Sequence, residues 1–346
     1  MIKSVFGNTK EGVTVYKFKL SNSKGMRAVV TNYGAILVNL IVPDKFGVPE
    51  DVVMGYDTVA EYEKNPCFFG STIAPSANRI DKAKFTIDGV EYNLPVNDGE
   101  NNLHSDYDLG AHKRVWDVEE VGENSVKFTL KMKDMELGFP GNKVFTVTYT
   151  LTEENELKID YTGTSDKNTL INPTNHSYFN LGGHGSGTAM NHIMRLECDR
   201  YTVVREGSIP TGENASVKGT PMDFTKAKRI GENNNDNFDQ FDITGGIDHN
   251  FVINDYDGSL KLFATVEEPN SGRLMKVYTT LPGVQFYAGN YIGDMTGKDG
   301  ASYGYRGAFC LETQFFPNAI NIPSFVQPVF GPEKPYASET VYRFEI

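Results

Sequence analysis

The 346-residue sequence has few cysteines and no long apolar run. Its three cysteines, Cys67, Cys198 and Cys310, lie far apart, and an odd, unpatterned set disfavours both a disulfide framework and a thiolate metal site. The longest apolar stretch, residues 35–43, contains Asn39 and is too short to cross a bilayer. The first residues lack the apolar region of a signal peptide. We therefore expect a cytoplasmic protein, in a reducing compartment, that does not insert into membranes.

Basic residues are also in short supply. Lys and Arg total 33 against 45 for Asp and Glu, which gives a net charge of -12. Nucleic acids and anionic membranes select basic surfaces, so this charge disfavours both as partners, whereas a small neutral ligand remains compatible. The six histidines never approach a zinc spacing such as H-E-x-x-H, and the Asn/Asp run does not match an EF-hand. The sequence thus predicts no metal site and no cofactor.

Helical periodicity is almost absent, and alternation of apolar and polar residues takes its place. Alternation over several residues is typical of half-buried strands, and it recurs at residues 16–20, 126–133, 145–151, 157–162, 260–266 and 340–346. The dipeptide Asp257-Gly258, just before the fifth of these segments, favours a tight hairpin. Residues 58–64 indicate a helix of one or two turns, and the very polar residues 231–242 indicate a solvated loop.

Strands at this spacing with little helix between them predict an all-β fold, an antiparallel sandwich or barrel. The sequence shows no Pro-, Gly- or Ser-rich linker, no shift in composition and no clear internal repeat. We therefore predict one large β domain over residues 1–346.

Three polar-aromatic clusters are candidates for chemistry. Residues 172–181 combine His176 with three amides and two aromatic rings, although alone this stretch also fits a turn in which Asn side chains cap backbone groups. Asp248 stands where a loop enters an apolar strand. Glu312 lies inside the apolar residues 309–317, and a buried carboxylate is unfavourable unless it has partners. This glutamate therefore favours a functional site over the solvent face of an edge strand.

Shorter motifs contain Asn78 and Arg79, His104, and Gln285. Taken singly, each has a structural explanation. Arg79 fits a surface ion pair, His104 fits a capped turn, and Gln285 fits an outward residue of a strand.

Taken in order, the motifs resemble the aldose 1-epimerase family. They read Asn-Arg-Ile, Asn-Leu-His, Asn-x-Thr-Asn-His-Ser-Tyr-Phe-Asn-Leu, Asp-His-Asn-Phe, Pro-Gly-Val-Gln-Phe-Tyr and Leu-Glu-Thr-Gln, and the resemblance continues to residues 339–342. Each motif is weak alone, but six in the right order are specific. The resemblance implies a large antiparallel β-sandwich, the galactose mutarotase-like supersandwich, which agrees with the strand pattern.

The resemblance also implies a reaction, the interconversion of the α and β anomers of free hexoses such as galactose and glucose. Glu312 would take the proton of the C1 hydroxyl, and His176 would protonate the ring oxygen. A carboxylate and an imidazolium can do both without a metal, each contributing roughly 10²–10⁴-fold. Phe286 would lie beside the sugar. The resemblance assigns substrate binding to Asn78, Arg79, His104, Tyr178, Asp248 and Gln285.

The sequence departs from the family pattern at two places. Residues 74–76 are Ala-Pro-Ser where Gly-Arg-Tyr is frequent, and Phe315 and Asn318 stand where His and Asp are frequent. We expect these changes to affect the rim of the site and the preferred sugar, and to leave the acid and the base in place.

Other functions stay open at this point. A glycoside hydrolase needs two carboxylates, for which Glu312 and Asp248 are the candidates, and it leaves His176 without a role. A non-catalytic sugar-binding module has no need of an acid–base pair. A mutarotase for phosphorylated hexoses would need more basic residues than Arg79 in the motifs. The sequence determines neither the preferred sugar nor the oligomeric state.

The acid–base roles predict a bell-shaped dependence of kcat/KM on pH. Protonation of Glu312 would cause the loss in acid, and deprotonation of His176 would cause the loss in base. We expect the nearby charge of Asp248 to favour the imidazolium and so to raise the pKa of His176.

Overall fold

Buried and exposed side chains alternate along the strands, as the sequence pattern predicts. In the strand Ser125–Met132, for example, Val126, Phe128 and Leu130 are buried in the core. The computed structural model describes residues 1–345, except for the side chain of Glu120. The predicted strand residue Ile346 lies outside this range.

In chain order the strands are β1 (Ile2–Asn8), β2 (Thr14–Ser21), β3 (Arg27–Thr31), β4 (Ile36–Pro43), β5 (Pro49–Asp51), β6 (Ser71–Ile73), β7 (Arg79–Ile80), β8 (Lys84–Ile87), β9 (Val90–Asn93), β10 (Asn102–Leu103), β11 (Asp117–Gly122), β12 (Ser125–Met132), β13 (Lys143–Leu151), β14 (Glu156–Ser165), β15 (Thr169–Leu170), β16 (Thr174–His176), β17 (Ile193–Leu196), β18 (Arg200–Arg205), β19 (Ile209–Ser216), β20 (Lys228–Arg229), β21 (Asp248–Val252), β22 (Lys261–Glu267), β23 (Leu274–Thr279), β24 (Gly283–Tyr287), β25 (Met295–Thr296), β26 (Ser302–Tyr303), β27 (Cys310–Gln314), β28 (Val329–Phe330) and β29 (Tyr336–Glu345). The α-helices are α1 (Val59–Lys64) and α2 (Asp239–Thr244). Single 3-10 turns lie at Asp81–Ala83, Ala111–Lys113, Glu136–Gly138, Lys298–Gly300 and Ala319–Asn321.

Three large sheets contain most of these strands. Within residues 1–345, one sheet has nine strands in the order β11-β12-β13-β14-β29-β23-β22-β17-β20. The other two have five strands each, in the orders β1-β2-β3-β4-β5 and β19-β18-β21-β24-β27. The ladders within the three sheets are antiparallel, which confirms the predicted all-β antiparallel sandwich.

The sheets pack face to face over a shared apolar core. Phe18 of β2 meets Phe128 of β12 with ring centroids 5.7 Å apart, so the first five-stranded sheet lies against the nine-stranded one. Phe251 of β21 and Phe286 of β24 enter the same core from the third sheet. In the described residues, no helix is long and apolar enough to cross a membrane.

The local predictions were confirmed where local chemistry decides the structure. Helix α1 begins after Thr58, whose hydroxyl accepts from the backbone N–H of Glu61 while the Glu61 carboxylate accepts from the backbone N–H of Thr58. This reciprocal capping box satisfies two amide groups at the first turn and explains why so short a helix forms there.

The predicted hairpin at Asp257-Gly258 was wrong. The strand before this turn, β21, pairs with β18 and β24, whereas the strand after it, β22, pairs with β17 and β23 in the nine-stranded sheet. A turn dipeptide sets the local bend, but the partner of each strand depends on the surface that it covers. The alternation in β22 also shifts at a bulge, so Phe263 is buried and Leu262 is exposed.

The polar residues 231–242 are only partly a solvated loop. Asn234 is buried and its side-chain oxygen accepts from the backbone N–H of Ile247 at 2.7 Å. The last residues of the run begin helix α2, which buries Phe241. Amide side chains therefore replace water as partners of the backbone, which a polar composition does not reveal.

A buried ion pair joins the first sheet to the loop before β26. The Lys298 ammonium lies 2.6 Å from a carboxylate oxygen of Asp51 and also donates to the carbonyl of Val38. The other Asp51 oxygen accepts from the backbone N–H of Leu40 at 2.9 Å. Removal of one partner from such a pair leaves a buried charge without its counter-ion.

We therefore expect Lys298→Met to lower the free energy of unfolding by about 3–5 kcal/mol. Urea denaturation followed by circular dichroism measures this. The matched control is Lys276→Met, which removes a partly exposed pair with Glu345 and is expected to change stability by less than about 1 kcal/mol. Equal effects of the two substitutions would contradict the role of the buried pair.

Candidate functional site

The floor of the site is a polar face of the third sheet. Side chains alternate along a strand, so residues in register two apart share one face of the sheet. The register of β21, β24 and β27 aligns three rows on this face, namely Asp248–Tyr287–Cys310, Asn250–Gln285–Glu312 and Val252–Gly283–Gln314. The intervening residues, such as Phe286 and Leu311, face the apolar core. Alternation therefore carries Glu312 out of the core, although it stands in an apolar run.

A cavity of about 250 Å³ opens above this floor. Its volume is somewhat below the roughly 300–1,000 Å³ typical of drug-sized ligands, as suits a small molecule. Five separate segments of the chain supply its predicted polar groups, and the structure brings seven of the eight predicted residues to its wall, namely Asn78, Arg79, His104, His176, Tyr178, Asp248 and Glu312.

The eighth residue, Gln285, lies behind the wall. Its side-chain amide donates to a carboxylate oxygen of Asp248 at 2.7 Å, and Gln285 is not among the described residues that line the cavity. A direct role of Gln285 in sugar binding therefore stays a prediction. Gln285 holds Asp248, which does line the cavity.

Glu312 and His176 face each other at the bottom of the cavity. The Nε2 atom of His176 lies 3.5 Å from a carboxylate oxygen of Glu312, and both residues are buried, with 5% and 2% of their surface exposed. The second carboxylate oxygen of Glu312 is buried and has no hydrogen-bond partner in the described residues. A buried unpaired carboxylate oxygen is rare in a folded protein and indicates a site that a ligand completes.

Burial acts on both members of this pair. It raises the pKa of Glu312 well above its usual range, the nearby charge of Asp248 raises it further, and Arg79 opposes both effects. Burial also lowers the pKa of His176 to about 4. The expectation that Asp248 raises the pKa of His176 was wrong, because loss of hydration dominates at this position. Both groups are therefore driven toward their neutral forms.

The imidazole of His176 lies between two aromatic rings. Phe68 and Tyr178 stack on it with centroid distances of 5.8 and 5.1 Å and interplanar angles of 23° and 18°. His104 contacts it edge-on at 5.3 Å. The stack fixes the plane of the ring and covers its faces with apolar surface.

His104 is held as a hydrogen-bond donor toward the cavity. The backbone N–H of Asn78 donates to its Nδ1 at 3.2 Å, and the backbone N–H of His104 donates to the carbonyl of Asn78. A neutral imidazole that accepts at Nδ1 carries its proton on Nε2. Burial and the neighbouring His176 and Arg79 lower the pKa of His104 well below its usual range, so the neutral form prevails.

The structure also forms a three-residue group that sequence spacing did not predict. In the described part of the chain, His104, His176 and Glu312 each offer a potential metal-ligating atom, and these atoms lie within 4.8 Å of one another. They come from three distant segments, so no spacing motif reveals them. The hydrogen bond from Asn78 opposes metal binding, because a ligating histidine normally donates, rather than accepts, through its other nitrogen.

One carboxylate of the wall, Asp98, fixes the guanidinium of Arg79. The Arg79 Nε donates to Asp98 at 2.7 Å, and Asp98 itself lines the cavity. Sequence reasoning missed this aspartate and the aromatic residues of the wall, Phe68, Tyr107, Tyr287 and Tyr291.

The alternation of side chains along a strand, applied strictly, would have predicted one of these aromatic residues. Tyr287 is two residues from Gln285 and shares its face, whereas Phe286 has the opposite parity. Phe286 is fully buried in the core against Phe224 and Phe251, so its expected place beside the sugar was wrong.

The departures from the family pattern lie outside the cavity wall. Phe315 packs in the core against Phe330 and Tyr336, and Asn318 accepts from the backbone N–H of Asp81. Residues 74–76 are likewise absent from the described residues that line the cavity. The backbone N–H of Asn318 nevertheless donates to the carbonyl of the wall residue Arg79, so an effect of these changes on the rim and on the preferred sugar stays a prediction.

Comparisons with known proteins agree with this site. The aldose 1-epimerase family pattern matches residues 16–343. Galactose mutarotase of Bos taurus is 39% identical over 348 residues, with 99% of this chain and 98% of the relative covered. Aldose 1-epimerase of Escherichia coli (strain K12) is 35% identical over 327 residues, which is 94% of each chain. The solved GalM/aldose epimerase homologue from C. elegans has a TM-score of 0.87 at 31% identity and covers 95% of this chain and 98% of that one.

The sequence resemblance is thus confirmed over nearly the whole chain, and so is the galactose mutarotase type of fold. The six motifs that carry the resemblance are also the segments that meet around the cavity or directly behind its wall. This chain belongs to the aldose 1-epimerase family and is an isomerase that interconverts the anomers of aldoses.

Proposed function

We propose that Glu312 and His176 interconvert the α and β anomers of free aldohexoses such as galactose and glucose in this cavity. The observation that carries the proposal is the buried contact of 3.5 Å between these two groups at the bottom of a polar pocket. A base and an acid side by side suit a reaction that removes a proton from one sugar oxygen and delivers a proton to its neighbour across C1.

The reaction needs no other chemical group. Glu312 takes the proton from O1, His176 gives a proton to O5, and the C1–O5 bond breaks to leave an open-chain aldehyde. Rotation about C1–C2 then turns the other face of the carbonyl toward O5. Ring closure returns the O5 proton to His176 and the Glu312 proton to O1, so the pair ends as it began.

The remaining wall residues would hold the sugar hydroxyls. Arg79, fixed by Asp98, and His104, with its proton on Nε2, present donors, whereas Asp248 presents an acceptor fixed by Gln285. Asn78 and Tyr178 line the same cavity. Fixed polar groups around a small pocket orient a sugar without moving when it binds.

The pair would work with a single shared proton. At pH values above about 4, His176 is neutral, and the raised pKa of Glu312 favours the protonated form of its carboxyl group. Transfer of that proton to His176 generates the carboxylate and the imidazolium that ring opening uses. Binding of a second proton to the pair leaves no base for the O1 proton, and loss of the shared proton leaves no acid for O5. The limbs of the pH profile are therefore the reverse of the sequence-based assignment, with His176 governing the acid limb and Glu312 the basic limb.

The other candidate functions have less support. Glu312 and Asp248 both line the cavity, but a glycosidase gives His176 no role. Among the described lining residues, Arg79 is the only Lys or Arg, so a phosphorylated hexose would meet little positive charge. An aryl galactoside has no free C1 hydroxyl and should remain uncleaved by this protein.

Glu312→Gln and His176→Asn are each expected to reduce the anomerisation rate by about 10²–10⁴-fold, because neither amide can exchange the proton. Polarimetry of freshly dissolved α-galactose and α-glucose, with the spontaneous rate subtracted, measures the loss. Calorimetry should show that galactose still binds. The double variant should be little worse than either single variant, since the two groups act as a unit. Near-parental activity of either variant, or fully multiplicative losses, would reject the pair.

Asp248→Asn is expected to move the basic limb of kcat/KM to lower pH. The negative charge of Asp248 raises the pKa of Glu312, so its removal lets Glu312 lose its proton at a lower pH. The acid limb should stay in place, because burial lowers the pKa of His176 and the charge of Asp248 is not among the causes of this shift. Asp160→Asn is the control, since this partly buried carboxyl group lines a separate cavity. A basic limb that stays fixed, or moves equally in the control, would contradict this reading of the pair.

Removal of metal ions is expected to leave the rate unchanged. The Asn78 N–H fixes His104 as a donor, which opposes its use as a metal ligand beside His176 and Glu312. Dialysis against a chelator followed by polarimetry tests this. Loss of activity that a divalent cation restores would show that the three residues hold a metal after all.

A further inference from the structure

One strand contacts both nitrogen atoms of the His176 ring. Glu312 of β27 lies 3.5 Å from Nε2, and Cys310 of the same strand places its sulfur 3.7 Å from Nδ1. Cys310 and Glu312 are two residues apart, so both side chains rise from the same face of the sheet. The spacing Cys-x-Glu therefore spans the imidazole from one edge to the other.

Aromatic stacking alone does not settle which edge of the ring faces Glu312. Phe68 and Tyr178 fix the plane of the imidazole, but a half-turn about its Cβ–Cγ bond keeps that plane and exchanges the nitrogen and carbon positions. Polar contacts at the two ring nitrogens distinguish these orientations, and Glu312 supplies the one at Nε2. On the Nδ1 side the ring meets the Cys310 thiol, besides a hydrogen bond with the backbone of His176 itself.

The chemical nature of this partner is unusual for an acid–base histidine. A carboxylate or a backbone carbonyl more often takes the Nδ1 proton. The Cys310 thiol is fully buried, and burial raises its pKa well above its usual range, so it stays uncharged. Sulfur is a weak hydrogen-bond acceptor and stabilises an imidazolium far less than a carboxylate does. A weakly supported imidazolium is a stronger acid, which suits delivery of a proton to the feebly basic ring oxygen of a sugar.

Other titratable groups also surround His176 and are the same in the variants considered below. Glu312 faces Nε2, and His104 contacts the ring edge-on. The stacked phenol and the more distant groups of the same cavity are Tyr178, Cys67, Asp98, Arg79, Tyr107, Asp248, Tyr287 and Tyr291.

We propose that Cys310 is a positioning residue whose contact at Nδ1 helps to keep Nε2 of His176 turned toward Glu312. The contact between the thiol and the imidazole is a feature of the folded protein, whereas its contribution to catalysis rests on the proposed function.

Two substitutions of Cys310 should move the acid limb of kcat/KM in opposite directions. In Cys310→Ser the hydroxyl oxygen accepts the Nδ1 proton better than sulfur, so the limb should move to higher pH by about half a unit. In Cys310→Ala the sulfur acceptor is gone and only the backbone hydrogen bond of His176 remains, so the limb should move to lower pH and kcat should fall by about three- to tenfold with KM nearly constant. Cys198→Ser, at a buried core thiol outside the cavity lining, is the matched control and should leave the limb in place.

A second measurement tests the contact without using activity. Nitrogen-15 spectra of histidine-labelled protein at neutral pH, with the His176 signals assigned by their loss in His176→Asn, should show the proton on Nδ1 in the parent protein. Cys310→Ala should give a mixture of the two tautomers, whereas Cys198→Ser should match the parent. If the proposed function proves wrong, the spectra still show whether the Cys310 thiol affects which nitrogen of His176 carries the proton.

Opposite movements of the acid limb, together with tautomer mixing in Cys310→Ala, would support the proposal. A limb that does not move in either Cys310 variant, or His176 signals that are the same in the parent and in Cys310→Ala, would overturn it. If Cys310→Ser fails to fold, the Cys310→Ala spectra alone decide the question.

Discussion

The site depends on the burial of one carboxyl group. Removing Glu312 from water disfavours its charge, and no described side chain replaces the lost hydration at its second oxygen. The group is therefore poised to accept a proton and to bind a hydroxyl. His176 shares the same dry pocket and is disfavoured as a cation. Because burial pushes the two pKa values in opposite directions, one proton can be shared between these neighbours, as the proposed ring opening and ring closure require.

A β-sheet supplies this arrangement because its two faces are independent. The face of β21, β24 and β27 that carries Phe251, Phe286 and Leu311 closes the core, which leaves the opposite face free to hold polar groups. Neighbouring strands place Asp248 and Gln285 beside Glu312 at fixed spacing. Loops and short strands then bring the histidines over this floor. The rigid sheet thus sets distances within the site, while the loops set its depth.

Similarity to the relatives extends over the whole fold, whereas individual residues in and around the site can differ. The relatives and solved structures share the family and the fold over nearly the whole chain. Phe315 and Asn318, which differ from the frequent pattern, lie in the core and in a turn and do not line the cavity. Differences in sugar preference within the family are therefore better sought among the wall residues that the motifs do not contain, such as Asp98 and Tyr107.

The sequence by itself indicated many of the strands, the helix after Thr58 and the two residues proposed as the acid–base pair, because alternation, capping chemistry and ordered motifs are local properties of the chain. Only the tertiary structure decided how those segments meet. It assigned β22 to a different sheet from β21, placed Gln285 behind Asp248, and grouped His104 with His176 and Glu312. It also set the pKa directions, since burial results from packing between segments that are distant in sequence.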